Sequence, residues 1–246
     1  MCFNVNASIA AAVIGYTSAA AAALTGHLVY AAFVAAYSFV QIAEGVIWHS
    51  IDTNNDKLNQ FGTSLLVGSL SCHALVTVVA SLLYVRYGPV RSLKTAATYQ
   101  SLGMLFALSI VACVLMWQEK KKDATIEPIC EKGDEVSPWL CRLRWDFGIN
   151  PYRLEVVIAL LTFYIITSGS SAFYIIGGLY ASVYFIGILA MLASRKQFNI
   201  SMYEAYVIGR STLWCFGAAL GAPLGVLGLW YFPRKAKNKT KINRAR

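Results

Sequence analysis

Three ionisable residues, Glu44, His73 and Arg210, lie within long apolar stretches of this 246-residue chain. A charged group inside a membrane is costly, so it usually pairs with another charge or marks a path for ions or protons. Gln41 and Tyr37 share the helical face of Glu44, because one helical turn takes 3.6 residues. These five residues are the candidate site for an ion or a small polar ligand.

The depth of these residues follows from the spans that carry them. At 1.5 Å per residue, Glu44 and Arg210 both lie roughly 10 Å below the same membrane surface, and His73 lies about 18 Å below it. We therefore predict a polar pocket that opens toward the N-terminal side. Two alternatives remain open. In the first, the charged pair is a structural ion pair that fixes helix register, and His73 is hydrogen-bonded to a neighbouring backbone or hydroxyl group. In the second, the residues face lipid and extend their charges to the surface.

The histidine positions argue against a metal enzyme. His27 and His49 lie near opposite ends of one predicted helix, about 33 Å apart, and His49 and His73 differ by roughly 14 Å in depth. Zinc ligands must lie within about 2.0–2.2 Å of one ion, so the three histidines of this chain cannot share a site. No metal, cofactor or catalytic residue is predicted, and a non-enzymatic function is favoured. An intramembrane enzyme that uses Glu44, His73 and a thiol remains the alternative.

Three cysteines outside the expected spans have chemistry of their own. Cys130 and Cys141 share the hydrophilic segment 118–153. In an oxidising compartment they could form a disulfide worth roughly 3 kcal/mol, whereas in the cytosol they would stay reduced. Removal of Met1 would leave Cys2 as a reactive N-terminus, with a free amine beside a thiol. The alternatives for Cys2 are lipidation or an interfacial position.

Seven apolar stretches are long enough to position these residues inside a bilayer, since a span needs about 20 residues. Hydrophobic residues make up 57% of the chain and charged residues only 13%, which excludes an ordinary soluble domain. The predicted fold class is all-α, a polytopic transmembrane bundle of about seven spans within residues 1–232. Six spans is the main alternative. The expected spans are 7–24, 28–51, 61–85, 99–117, 154–167, 172–193 and 203–230.

Basic residues give the expected orientation and partners. The tail 233–246 holds seven basic residues and no acid, which is typical of a cytoplasmic segment, whereas the charges of 118–153 oppose this orientation. We expect a disordered, cytoplasmic tail that contacts anionic lipids, and an N-terminus outside. Nothing aromatic is interleaved with the tail charges, so nucleic acid is not an expected partner. Gly217, Gly221 and Gly225 form a close-packing face, within the bundle or between copies in a homo-oligomer.

Two short motifs carry a resemblance. The start Met1-Cys2-Phe3-Asn4 and the pattern Gln41-x-x-Glu44-Gly45-x-x-Trp48 resemble a family of uncharacterised multi-span membrane proteins, mostly bacterial. Members typically begin Met-Cys-Phe-Ser, and Asn replaces that Ser here. The resemblance covers residues 1–50, implies a multi-span fold and draws attention to Cys2 and Glu44. It implies no activity.

The sequence as a whole predicts a multi-pass membrane protein with a buried polar cavity. Transport, conduction or sensing of an ion or small polar ligand is the leading function. The alternatives are the intramembrane enzyme described above and a structural scaffold without a ligand.

Overall fold

The structure is a computed structural model. It describes residues 4–88, 93–119, 125–128, 143–144, 157–158, 161–162, 164–166, 189, 192–193, 202 and 222–229. Four long helices lead the chain: α1 (Val5–Leu24), α2 (Leu28–Asp52), α3 (Asp56–Tyr87) and α4 (Ala96–Glu119). Two short strands follow, β1 (Glu127–Pro128) and β2 (Leu143–Arg144). Every described element longer than two residues is helical, so the fold is all-α.

All four helices are long and apolar enough to cross a membrane. They coincide with the first four expected spans, and the chain is therefore a membrane protein by the length and composition of its helices. The remaining three expected spans lie largely outside the described residues, so the count of seven stays a prediction. The basic tail also lies outside them, and the orientation of the termini stays a prediction as well.

Asparagine side chains cap the starts of α1 and α3, and short turns join α1 to α2 and α2 to α3. The Asn4 side chain accepts a hydrogen bond of 2.8 Å from the Ala7 backbone N–H, and Asn55 accepts one of 3.1 Å from Leu58. These contacts satisfy backbone donors that the first turn of a helix leaves unpaired. Gly26, with φ +83°, reverses the chain between α1 and α2. Because both turns are short, α1, α2 and α3 run antiparallel to their neighbours.

Helix α2 lies between α1 and α3, and α4 packs on α3. Glycines permit close approach on both sides of α2. The Ser38 side chain of α2 occupies the space where a Cβ of Gly15 would lie, and a Cβ at Gly62 of α3 would come within 2.8 Å of Ile47. In lipid, close van der Waals contact of this kind replaces the hydrophobic effect as the force between helices.

Several buried hydroxyl groups are satisfied inside their own helices. Each of these donates a hydrogen bond of 2.6–2.9 Å to the backbone carbonyl four residues earlier; they are Ser38, Ser71, Thr77, Ser81 and Thr162. A serine or threonine bonded in this way leaves no polar group uncompensated in an apolar setting. The bundle can therefore bury these residues without a polar partner on another helix.

The segment after α4 folds back onto the bundle. Ile126 is 1% exposed and packs into a cluster of buried residues from α2, α3 and α4. Val5, at the start of α1, packs against the same cluster. Strand β1 begins at the next residue and pairs antiparallel with β2. The strand pair therefore lies at the end of the bundle where the chain begins.

Candidate functional site

A buried polar stripe runs along α2. Tyr37 and Gln41 are each 2% exposed and Glu44 is 0% exposed, and their spacing puts them on one helical face. Glu44 and Gln41 both have polar partners within the fold. Trp48, one turn further along, is buried as well. A carboxyl group that is completely buried requires compensating polar or charged contacts. Tyr37, Gln41 and Glu44 therefore form a buried polar face on α2.

His73 of α3 meets this stripe in the interior. Its ring centroid lies 5.4 Å from that of Tyr37 and 4.6 Å from that of Phe33. A hydrogen bond joins the imidazole to the Phe33 backbone. The other ring nitrogen, Nε2, is buried and has no hydrogen-bond partner among the residues that the structure describes. Nε2 of His73 is therefore a polar atom inside the bundle to which the described residues offer no hydrogen bond.

Tyr30 connects the same stripe to the C-terminal part of the chain. Its hydroxyl donates a 3.0 Å hydrogen bond to the backbone carbonyl of Ala222, in the helical segment 222–229. A Cβ at Gly225 would collide with this hydroxyl, so the glycine admits the tyrosine. Leu229 lines a cavity of about 140 Å³ together with His27, which precedes α2. Ala222 therefore lies beside Tyr30, and Leu229 lies beside His27, three residues earlier in the chain than Tyr30. Segment 222–229 thus runs antiparallel to α2.

Four sequence-predicted residues, Arg210, Cys2, Cys130 and Cys141, lie outside the described residues. The pairing of Glu44 with Arg210 and the bridge between the two loop cysteines therefore remain predictions. Within the described part of the chain, no three His, Cys, Asp or Glu side chains lie close enough together to hold a metal ion. Cys72, on α3, is present there as an exposed free thiol.

One polar contact escaped the sequence reasoning. The Asn59 amide nitrogen donates to the Ile126 carbonyl at 2.9 Å, and the Ile126 N–H donates back to the Asn59 side-chain oxygen at 2.9 Å. Thr63 adds a hydrogen bond of 3.3 Å to the same oxygen. Asn59 is 7% exposed. It lies one turn before Thr63 on the buried face of α3, and this position could have indicated from the sequence that its side chain is buried. Its side chain fixes the segment after α4 to the start of α3.

No protein-family model matches the chain, and no curated protein and no solved structure matches it.

Proposed function

We propose that this membrane protein binds a small cation or a polar ligand with a hydrogen-bond donor in an interior pocket, and moves it toward or from the N-terminal side. The pocket is formed by the α2 stripe and by His73. The observation that carries the proposal is the buried Nε2 of His73, which has no hydrogen-bond partner in the described part of the chain. An unsatisfied buried polar atom is costly, and a ligand or ion that interacts with it removes that cost.

The chemistry of the pocket favours a donor or a cation. If one imidazole nitrogen donates its hydrogen to the Phe33 backbone, a neutral ring leaves Nε2 as an acceptor. The nearby rings of Phe33 and Tyr37 add negatively polarised faces that attract cations. Glu44, on the Tyr37 face, is the nearest candidate for a fixed negative charge along the same stripe.

Arg210 lies outside the described residues, so its pairing with Glu44 is supported by sequence position alone. The expected spans put both residues roughly 10 Å below the same membrane surface. In the proposed pocket Arg210 offsets the insertion cost of Glu44, and ligand binding competes with the charge pair.

Flux through liposomes that contain the full-length protein tests the proposal. Proton flux is followed with an enclosed pH-sensitive dye, and sodium and methylammonium uptake with radiolabelled ions. We expect saturable flux of at least one of the three. Glu44→Gln and His73→Asn should each reduce it at least about tenfold, the effect of losing roughly 1.4 kcal/mol of binding or barrier stabilisation. His49→Asn, a histidine change at an exposed position of α2, is the matched control and should leave the flux unchanged.

Thermal unfolding of the same variants separates a binding site from a scaffold. If Glu44→Gln and Arg210→Met each destabilise the protein, the double variant restores its stability, and no probe ion crosses the membrane, then the pair is structural and the proposal is wrong. Wild-type flux equal to that of protein-free liposomes for all three probes would also contradict it.

A further inference from the structure

Ser8, in the first turn of α1, carries a second interior polar atom that the described residues leave unsatisfied. Its side chain is completely buried, and its Oγ has no hydrogen-bond partner among those residues. The Asn4 carbonyl, the usual acceptor for a helical hydroxyl at this position, accepts the Ser8 N–H at 3.1 Å but not the hydroxyl. The other buried serine and threonine hydroxyls in the described part of the chain all form hydrogen bonds; they are Ser18, Ser38, Ser50, Thr63, Ser71, Thr77, Ser81, Ser109 and Thr162.

The Ser8 side chain meets α2 next to the polar stripe. A Cβ at Gly45 would lie 3.5 Å from the Ser8 Cβ, so the two residues are in contact. Gly45 follows Glu44 directly and lies one helical turn after Gln41. The unsatisfied hydroxyl therefore lies at the level of Glu44, at the edge of the stripe.

The Nε2 of His73 lies much deeper along the same helix. The His73 ring contacts the rings of Phe33 and Tyr37, which precede Gly45 by twelve and eight residues. At 1.5 Å per residue, the two unsatisfied atoms are therefore about 12–18 Å apart along α2. One small ion or molecule cannot contact both. A file of about four to six water molecules, spaced roughly 2.8 Å apart, covers this distance and offers a hydrogen bond to each atom.

A cavity of about 140 Å³ continues this line at the opposite end of α2. It is lined by His27, Tyr30 and Tyr84 and is large enough to admit several water molecules. Tyr30 precedes Phe33 by three residues, or about 4.5 Å. His27 precedes Gly45 by eighteen residues, or about 27 Å, which is close to the roughly 30 Å thickness of the hydrocarbon core. Sites for water therefore recur along α2 over nearly the whole thickness of a membrane.

We propose that the proton is the ion that this protein moves, along a file of water molecules that follows the α2 stripe from Ser8 past His73 to the cavity at His27. The inference rests on the function proposed above and names its substrate. A metal cation needs several oxygen ligands around one point, whereas a hydrogen-bonded file needs only one polar contact at each level. At each step an oxygen accepts one proton and passes another of its hydrogens onward. One proton enters at one end and one leaves at the other, and no group keeps a changed charge.

Flux under a membrane potential distinguishes the proton from other ions. The full-length protein is reconstituted in liposomes with a potassium gradient and a potassium ionophore, and the entry of protons, sodium and methylammonium is compared. We expect proton flux above that of protein-free liposomes and no flux of the other two ions. Ser8→Ala should reduce the proton flux several-fold, whereas Ser8→Thr, which keeps the hydroxyl, should retain most of it. Ser71→Ala is the matched control, because its buried hydroxyl is bonded within α3, and it should leave the flux unchanged.

The outcomes separate this inference from the function on which it rests. Flux of sodium or methylammonium would overturn the inference and still support the proposed function, whereas no flux of any probe would contradict both. Proton flux of Ser8→Ala equal to that of the wild type would also overturn the path.

A high-resolution structure of the wild type tests the path without any variant. We expect ordered water molecules within about 2.8–3.0 Å of Ser8 Oγ and His73 Nε2. A protein group bonded to either atom in place of water would overturn the inference.

Discussion

Replacement of Asn59 by leucine should destabilise the protein far more than its position near the end of a helix suggests. The Asn59 side chain pairs with both backbone polar groups of Ile126, at 2.9 Å each, in a buried setting. Leucine is similar in size but can neither donate nor accept a hydrogen bond. The substitution therefore removes both hydrogen bonds to Ile126, together with the longer one from Thr63, and leaves the N–H and C=O of a buried residue without partners.

The expected magnitude follows from those two groups. An unsatisfied buried backbone group costs about 1–3 kcal/mol, so the pair should cost about 2–6 kcal/mol. The additional apolar surface of leucine recovers roughly 1 kcal/mol. We expect a net loss of about 3 kcal/mol in the free energy of unfolding. For a chain of this size, about 2–4 °C per kcal/mol gives a melting temperature lower by roughly 6–12 °C.

Thermal unfolding in one detergent provides the measurement. Gln60→Leu is the matched control, because it makes a similar change at the next position of α3, where the side chain is half-buried and has no hydrogen bond within the described structure. Thr63→Val, which removes only the 3.3 Å hydrogen bond to Asn59, should have a smaller effect of about 1 kcal/mol. Hydrogen exchange should show the Ile126 amide protected in the wild type and exposed in Asn59→Leu.

If Asn59→Leu melts within about 2 °C of Gln60→Leu, a difference worth less than roughly 1 kcal/mol, the hydrogen bonds of Asn59 do not stabilise the fold as expected. Equal protection of the Ile126 amide in both proteins would contradict this expectation independently of stability. Either result would mean that the segment after α4 is held by apolar burial alone.

Three further predictions rest on other contacts. Tyr30→Phe should lower the free energy of unfolding by about 1–2 kcal/mol, since the Ala222 carbonyl loses its donor, whereas the exposed Tyr87→Phe should have no effect in the same melt. Gly62→Ala should lower the free energy of unfolding by about 1–3 kcal/mol, because the added methyl group would collide with Ile47 of α2. Gly68→Ala, where the methyl group has open space, should be neutral or stabilising. Equal melting temperatures for the two variants would contradict this prediction. Burial lowers the pKa of His27, so the unfolded chain takes up its proton at a higher pH than the folded protein does. Stability should therefore decrease as the pH falls below the ordinary value of 6.5, and His27→Asn should reduce that dependence in a pH series of unfolding measurements; a wild type that becomes more stable over this range would contradict the assignment.

Hydropathy located the first four helices but not all of their ends. The span expected from residue 61 corresponds to a helix that begins at Asp56, five residues earlier. Four of those five residues, Asp56, Lys57, Asn59 and Gln60, are polar and do not count toward an apolar span. They are helical because the Asn55 side chain caps the first turn and Asp56 places a carboxylate near the helix N-terminus. Capping chemistry therefore has to be considered beside hydropathy.

The α2 stripe could be predicted because it repeats with the helical period, and depth suggested that His73 lies near it, whereas the contacts of Tyr30 and Asn59 could not be predicted. Periodicity gives the face of one helix but carries no information about its neighbours. The contact of Tyr30 with Ala222 joins positions 192 residues apart, and that of Asn59 with Ile126 joins positions 67 apart. The glycine pattern marked Gly225 as a place of close approach, whereas the tyrosine that occupies it depends on how the helices assemble.

The way in which buried hydroxyls are satisfied has a consequence for biogenesis. Ser71, Thr77 and Ser81 donate to carbonyls of their own helix, so α3 can leave the translocation channel with these groups already satisfied. Asn59 and His73 differ, because the Asn59 amide nitrogen and the His73 imidazole form hydrogen bonds with backbone groups outside α3. Insertion of α3 into the membrane can thus precede assembly of the bundle. The polar groups of Asn59 and His73 gain their partners only when α2 and the segment after α4 pack against α3. A folding factor that binds unassembled spans could recognise the unsatisfied polar groups of these two side chains, which become buried when the helices pack together.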